Sequence, residues 1–308
     1  MTRTTKPELP IPERLNLLLL AIASIACGGL LFIASHTTST LALISCAIVF
    51  SFTANTLFSL LHESVHGIFA TNHKVNEWAG RIASAWFPTG LSVQRAFHLT
   101  HHKNNRSRFE QFDVLNEDDV KWLKYAQWYS ILTGLYWAIT VIGLLLFLML
   151  PQILRARILR AEDSKIAEQT SSQNYLSVLD DINQVNAKLE LMISFLFQGI
   201  LFWILDLSVI GWLSCYAAFA LSWSSLQYTD HAFSPLDAAN GAWNLRVGPI
   251  GRLFFLNYHA HLVHHQNPRA PWIHLQSLID AKAPQPLFFH VLLEAWKGPR
   301  KLSDFPHI

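Results

Sequence analysis

Three short stretches concentrate histidine at helical spacing: His62-Glu-Ser-Val-His66, His98-Leu-Thr-His101-His102 and His261-Leu-Val-His264-His265. On an α-helix, residues at i, i+3 and i+4 share a face, so each stretch can aim two or three imidazoles at one point. That is the geometry of multidentate metal binding. A single pair of this kind in an apolar chain is equally well read as a helix cap or a bundle hydrogen bond. Three are not, because eight imidazoles crowded at one face repel or desolvate one another unless an ion organises them. Imidazole suits zinc, iron, copper and nickel alike. Eight nitrogens exceed what one tetrahedral zinc with an open position can use, so two metals sharing the set is the economical reading. Di-iron bundles of the carboxylate type draw on Glu and Glu-x-x-His, whereas suitably placed acids are few here.

Metal-bound imidazoles usually donate their second N–H to a carboxylate or carbonyl. The nearby acids are Glu63, Glu110, Asp113, Asp230 and Asp237. Asp230 is the strongest candidate, because it closes an apolar run where an unpaired carboxylate is costly. Glu110, Asp113 and Asp237 read as solvated loop charges. His259 alternates with His261 and leaves the shared face if the segment is helical, which makes it a supporting residue rather than a ligand. His36, His73, His274, His290 and His307 stand outside the clusters and read as surface, interface or capping residues. Two other chemistries compete. His62-Glu63-Ser-Val-His66 matches the zinc metalloprotease pattern, with Glu63 as general base, but a protease has no use for the other six clustered histidines. A metal transporter would place its ligands near the membrane midplane, whereas these clusters sit at the rims of apolar runs.

The elements that must position these residues are membrane helices. Of the 308 residues, 51% are hydrophobic and 14% charged, against about 25% charged in soluble domains. A net charge of +2 is too balanced to argue for nucleic acid. Cys27, Cys46 and Cys215 lie in apolar stretches and offer neither a disulfide framework nor a zinc site. No signal-peptide pattern opens the chain, so its N-terminus is expected to be retained. No Asp, Glu, Lys or Arg occurs between Leu15 and His62, enough for a transmembrane hairpin over 15–61. A polar, aromatic stretch over 62–124 carries the first two clusters, and its part from Asn76 to Gln94 reads as interfacial. A second apolar run covers 125–154, and a second hairpin fits 191–229, turned near Ser208 to Gly211.

Short loops rich in Lys and Arg stay cytoplasmic. Arg3, Lys6 and Arg14 therefore put residues 1–14 inside. Lys121 and Lys124 precede the 125–154 run and Arg155, Arg157 and Arg160 follow it, so both of its ends read as cytoplasmic. The run is thus expected to enter and leave on one face, broken near Gly134 or Gly143. Residues 155–190 then form a cytoplasmic linker, and 230–308 a cytoplasmic region carrying the third cluster. The expected fold is an all-α, multi-pass integral membrane protein, a single domain over 1–308. It has about four transmembrane helices, one re-entrant or interfacial element and a cytoplasmic helical cap that carries the histidines.

The three clusters, their order and their placement resemble those of the membrane-bound fatty acid desaturase and hydroxylase superfamily. The resemblance runs from the first hairpin to Trp272. It is carried by His98-Leu-Thr-His101-His102-Lys-Asn-Asn-Arg-Ser, by Asn257-Tyr-His-Ala-His261-Leu-Val-His264-His265-Gln-Asn-Pro, and by Pro271-Trp272. It implies two iron ions that use O2 and two electrons to take hydrogen from an acyl chain. It adds His231, at the end of the last membrane helix, as a ninth ligand beside His62, His66, His98, His101, His102, His261, His264 and His265. Where stearoyl-type members carry an Asn that bridges to iron through water, this chain has Gln227, which leaves Gln227 or Asn257 for that role. Desaturation is favoured over hydroxylation or acetylene formation because the second and third clusters most resemble those of acyl desaturases, although positioning of the substrate decides the outcome. An acyl tunnel could be lined by Trp86, Phe87, Trp122, Trp128, Tyr136, Trp137, Trp223 and Tyr228, although most of these read as interfacial belt. Lys103, Arg106, Arg108, Arg246 and Arg252 could hold the anionic carrier of an acyl-CoA, acyl carrier protein or lipid-linked substrate. The length leaves no room for a haem, flavin or ferredoxin domain, so a separate electron donor is expected, ferredoxin or cytochrome b5 being typical, alongside membrane lipids as surroundings.

Overall fold

The computed structural model describes residues 9–161 and 163–305. Arg3, Lys6 and His307 lie outside the described residues. Fifteen α-helices follow one another among these residues: α1 (Glu13–His36), α2 (Thr40–Val65), α3 (His73–Ala85), α4 (Leu91–Asn104), α5 (Lys121–Leu132), α6 (Leu135–Met149), α7 (Arg157–Arg160), α8 (Lys165–Gln169), α9 (Ser172–Asp181), α10 (Gln184–Ile204), α11 (Val209–Thr229), α12 (Pro249–Phe255), α13 (His261–Gln266), α14 (Leu275–Leu278) and α15 (Phe288–Ala295). The one sheet among them pairs β1 (Val114–Leu115) in parallel with β2 (Arg300–Lys301).

Four helices, α1, α2, α10 and α11, are long and apolar enough to cross a membrane. The shortest has 21 residues, about 31 Å of helix and sufficient for a hydrocarbon core of about 30 Å. Each turn between them is set by a local cap. Ser39 Oγ accepts from Ala42 N, Asn183 Oδ1 from Asn186 N, and Ser208 Oγ from Gly211 N, each satisfying one donor of the following helix. The Asn183 cap starts α10 seven residues before the Leu191 boundary expected from charge alone. Leu31, Phe50, Leu57, Tyr216 and Phe219 form the buried seam of α1, α2 and α11. Ile25, Leu41 and Trp203 face outward, as lipid-facing side chains do.

The apolar run over 125–154 is a bent pair: α5 and α6 meet at 98°. The break falls at Gly134 rather than Gly143, and two facts require glycine there. Its φ is +79°, which L side chains avoid, and a Cβ would come within 2.6 Å of the Leu221 backbone nitrogen on α11. From Leu221 to the end of α11 at Thr229 is about 12 Å of helix, so the break sits partway along α11. Both outer ends of the pair return to the histidine side. Lys124 Nζ donates to Gln111 O at 2.8 Å, and Leu144 and Phe147 pack with Val93 of α4 and Leu179 of α9.

Several expectations need correction. Lys124 is buried and lies 3.7 Å from Asp119, so it is no free marker of the cytoplasmic side. Arg160 pairs with Asp180. The segment expected to be a linker carries the short helices α7, α8 and α9 and the start of α10, with Ser171 Oγ donating to Phe109 O. Trp86, Phe87, Trp128 and Trp137 are core residues, not a belt, whereas Trp122 is exposed. Cys27, Cys46 and Cys215 are free and buried, as expected.

Candidate metal centre

The first cluster closes α2, with His62 in its last turn and His66 at its C-cap. The second lies on the last two turns of α4. Glu190 of α10 fixes the start of α4, accepting from Ser92 N at 2.6 Å and from Arg81 Nε at 2.9 Å. The third cluster occupies α13, only six residues long. So short a helix does not stand alone, and its first-turn donors are met from outside: Leu262 N donates to Trp243 O and Val263 N to Asn244 Oδ1. His231 sits in the turn just after α11.

These elements bring nine imidazoles into two groups. His62, His66, His98, His102 and His264 form the first, and His101, His231, His261 and His265 the second; within each, the ligand atoms lie within 4.8 Å of one another. The division cuts through the clusters. His101 and His102 are adjacent in sequence yet fall in different groups, as do His264 and His265, because successive helical residues point about 100° apart. Within the first group, Nε2 of His98 is 2.8 Å from that of His66 and 2.9 Å from that of His102, which is 3.1 Å from that of His264. In the second, Nε2 of His231 is 3.1 Å from that of His101, and Nε2 of His261 is 3.2 Å from that of His265. Donors about 2.1 Å from a shared ion and at right angles would stand about 3 Å apart, so the donor spacing fits a metal in each group.

Burial and neighbouring imidazoles push His98, His231, His261, His264 and His265 well below the ordinary histidine range. Burial brings His66 to about 4 and His102 to about 3. Carbonyl and carboxylate oxygens approach the rings of the second group, the kind of group to which metal-bound imidazoles donate their other N–H. His231 Nδ1 donates to Gly241 O at 2.8 Å, leaving Nε2 turned to its group. His101 Nδ1 lies 3.4 Å from Glu110 Oε2. Asp230 places one oxygen 3.6 Å from His261 Nδ1 and the other 3.8 Å from His231 Nε2. Neither of its oxygens has a hydrogen-bond partner, and burial pushes the group well above the usual carboxylate range.

The reading of Glu110 and Asp113 as solvated charges is wrong. Both are buried. Glu110 takes a hydrogen bond from Tyr175 OH at 2.5 Å. Asp113 is gripped by both terminal nitrogens of Arg106, at 2.8 and 2.9 Å, and accepts from Phe233 N. Arg106 also donates to Ser234 O, which clasps the exit of α4 to the loop that carries His231. Gly241 lies so close that a Cβ there would come within 2.1 Å of Arg106 Cγ. Nothing local marks this clasp, since its two charges are an ordinary Arg and Asp seven residues apart. Asp237 is partly exposed and binds its own loop.

Other candidates fall differently. Glu63 is buried and accepts from Trp272 N at 3.0 Å, so its carboxylate ties the first cluster to Pro271-Trp272. The Asn257 amide donates to Trp272 O. Gln227 accepts from Tyr258 OH at 2.9 Å, and its Nε2 is buried without a partner. His259 joins neither group and contacts Gln276 instead. Of the basic residues, Arg106 is consumed by its clasp and Arg108 by Asp118 and Glu168, while Lys103, Arg246 and Arg252 are exposed. Beside the histidines lies a cavity of about 140 Å³. Its walls include His98, His101 and His231, with Tyr136, Trp223 and Tyr228 from the expected tunnel set. Tyr175, from the segment expected to be a linker, also lines it.

Membrane-length helices that deliver nine imidazoles in two groups define a histidine-rich membrane protein with room for two metals. The sequence matches the fatty acid desaturase family over residues 37–291, and the chain belongs to that family. No curated protein sequence matches it. The family is of oxidoreductase type, with acyl substrates and membrane surroundings.

Proposed function

We propose that the protein is a di-iron, O2-dependent fatty acyl desaturase. Membership of the desaturase family gives the reaction class. The observation that carries the metal assignment is the division of nine imidazoles into groups of five and four with donor spacings near 3 Å. His62, His66, His98, His102 and His264 would hold one iron, and His101, His231, His261 and His265 the other. Bound there, the pair would activate O2 with two electrons from a separate donor such as ferredoxin or cytochrome b5. The balance is one double bond gained and two waters formed, from O2, two electrons, two protons and two acyl hydrogens.

The residues of the chain have separable tasks. Glu110, Asp230 and the Gly241 carbonyl would fix the second group's rings. Gln227 is better placed than Asn257 to hold a water beside the metals, since its amide faces the cavity wall with a free donor. The cavity beside His98, His101 and His231 would seat the reacting segment of the acyl chain and exclude bulk water. A zinc protease is disfavoured because His62 and His66 are joined by three further histidines and Glu63 is engaged by Trp272 N.

We read α5 and α6 as a re-entrant pair and the histidine face as cytoplasmic. The support is the return of both ends of the pair to the α4 side, with Arg14, Arg155 and Arg157 flanking the apolar segments. The chain is treated as a single domain over 1–308.

Elemental analysis of detergent-purified protein, with Mössbauer spectra after growth on iron-57, tests the metal claim; about two irons per chain are expected. Lipid analysis of cells expressing the protein tests the reaction, with new double bonds as the expected product. Oxygenated chains would move the assignment to hydroxylation, triple bonds to acetylene formation. One tight zinc, retained in His264→Ala but lost in His62→Ala, would overturn it.

A further inference from the structure

Residues 230–308 read from charge as lying outside the membrane, yet two of their helices turn apolar side chains outward. Ile250 and Leu253 on α12, and Phe289 and Leu293 on α15, are 65–71% exposed. The contrast is with α9, another helix beside the histidines, whose exposed side chains are Ser177, Asp180 and Asp181. Scattered apolar residues on a surface need no explanation. The depth at which α12 lies is what makes these four informative.

α12 is fastened to the side of α2. Thr56 Oγ1 donates to Phe254 O at 2.7 Å and Ser59 Oγ to Phe255 O at 2.9 Å, while Phe52 packs on the rings of both phenylalanines. A hydrocarbon core of about 30 Å takes up about 20 residues of helix, so wherever it sits along the 26 residues of α2, positions 46–59 lie inside it. Phe52, Thr56 and Ser59 are all in that range, and α12 ends at their level. Carbonyls at the end of a helix have no intrahelical partner, and in hydrocarbon no water takes their place. Two of those that end α12 are met by hydroxyls of α2.

α15 is drawn to the same level. Arg246, just before α12, exchanges backbone hydrogen bonds with Pro286 O and Phe288 N at the start of α15. Val291 and Ala295 then pack on Trp128, Ile131 and Leu132 of α5, the first arm of the bent apolar pair. Arg252 and His290 are the exposed polar side chains on the two helices, and both types combine an apolar body with a polar tip that can reach the headgroups.

We infer that α12 and α15 are sunk into the leaflet bordering the histidine face, with Ile250, Leu253, Phe289 and Leu293 against lipid acyl chains. The inference rests on α2 crossing the membrane and on neither the metals nor the reaction. Since α12 ends at Phe255 and α13 opens with His261, the third histidine cluster follows directly on a membrane-embedded stem.

The test places a nitroxide label on the full chain at Ile250→Cys, Leu253→Cys, Phe289→Cys and Leu293→Cys, reconstituted in phosphatidylcholine vesicles. The unsubstituted chain, whose three cysteines are buried, gives the background. Ile25→Cys on α1 is the lipid reference and Ser177→Cys the aqueous one. Relaxation by O2, which partitions into lipid, is compared with relaxation by a water-soluble nickel chelate. All four sites are expected to show an O2-to-nickel ratio at least about threefold above that of Ser177→Cys and close to that of Ile25→Cys. A ratio like that of Ser177→Cys at either helix overturns the inference. Labels shielded from both agents would mean that a second copy of the chain covers the face, which also overturns it. If Ile25→Cys itself reads as aqueous, the membrane reading of the long helices fails and this inference with it.

Discussion

Five imidazoles make up the first histidine group, and no carboxylate lies within 4 Å of any of them among the described residues; four imidazoles make up the second, with Asp230 and Glu110 buried against it. The first takes four of its five members from the ends of α2 and α4 and the fifth, His264, from α13. The second takes His101 from α4, His231 from the turn after α11, and His261 and His265 from α13, whose first donors are met by residues 243 and 244. The group with fewer imidazoles is the one with carboxylates against it. If the proposed irons are bound, the second group would draw on those carboxylates, which raise the basicity of the rings they orient, and the first on the number of its donors.

The largest effect expected from this division is in metal stoichiometry. His98→Ala and His102→Ala should each remove one iron of two, and so should their double variant, because both residues serve the first group. His101→Ala combined with His102→Ala should remove both, although the residues are neighbours. Elemental analysis of the four proteins decides this, and loss of both metals from His98→Ala/His102→Ala would break the comparison. His259→Gln, outside both groups, should retain two irons.

Next in size is the clasp. Arg106→Met leaves Asp113 buried without its partner, and removing one member of a buried pair costs about 3–5 kcal/mol. Denaturant unfolding of the detergent-solubilised protein should show a loss of that order, with iron depleted first from the second group, whose His231 loop the clasp holds. Equal depletion from both groups would mean that the clasp supports the whole cap.

The smallest effect sharpens the contrast further. Asp230→Asn should weaken iron binding at the second group by about 10–100-fold, the usual cost of removing an outer-shell partner. Chelator titration of the variant should then release one iron well before the other. A change in the first group of similar size would show that the two sites do not respond separately.

Much of this molecule was legible in its sequence for reasons of periodicity. Eight of the nine histidines follow from i, i+3 and i+4 spacing, and the membrane helices follow from uncharged runs of spanning length. The break at Gly134 follows from a glycine inside an apolar run, although spacing alone did not separate it from Gly143. His231 required the family pattern, since a lone histidine carries no periodic signal. The misplaced residues share a different cause. Glu110 and Asp113 are polar side chains in a short irregular segment, and their burial depends on partners far away in the chain: Tyr175 on α9 for Glu110 and Phe233 in a distant loop for Asp113. The tryptophans assigned to an interfacial belt were misjudged because aromatic composition alone does not separate a helix face that meets lipid from one that meets another helix.

Sequence by itself determined which side chains could bind metal and which segments could cross a membrane, because both depend on local repeat and length. Which histidines stand in one group was decided only by the tertiary structure. A helix directs His101 and His102 to different sides whatever their surroundings, but the partners waiting on each side come from α2, α13 and the turn after α11. Those partners are brought together by packing across long stretches of chain, a quantity that no local spacing encodes.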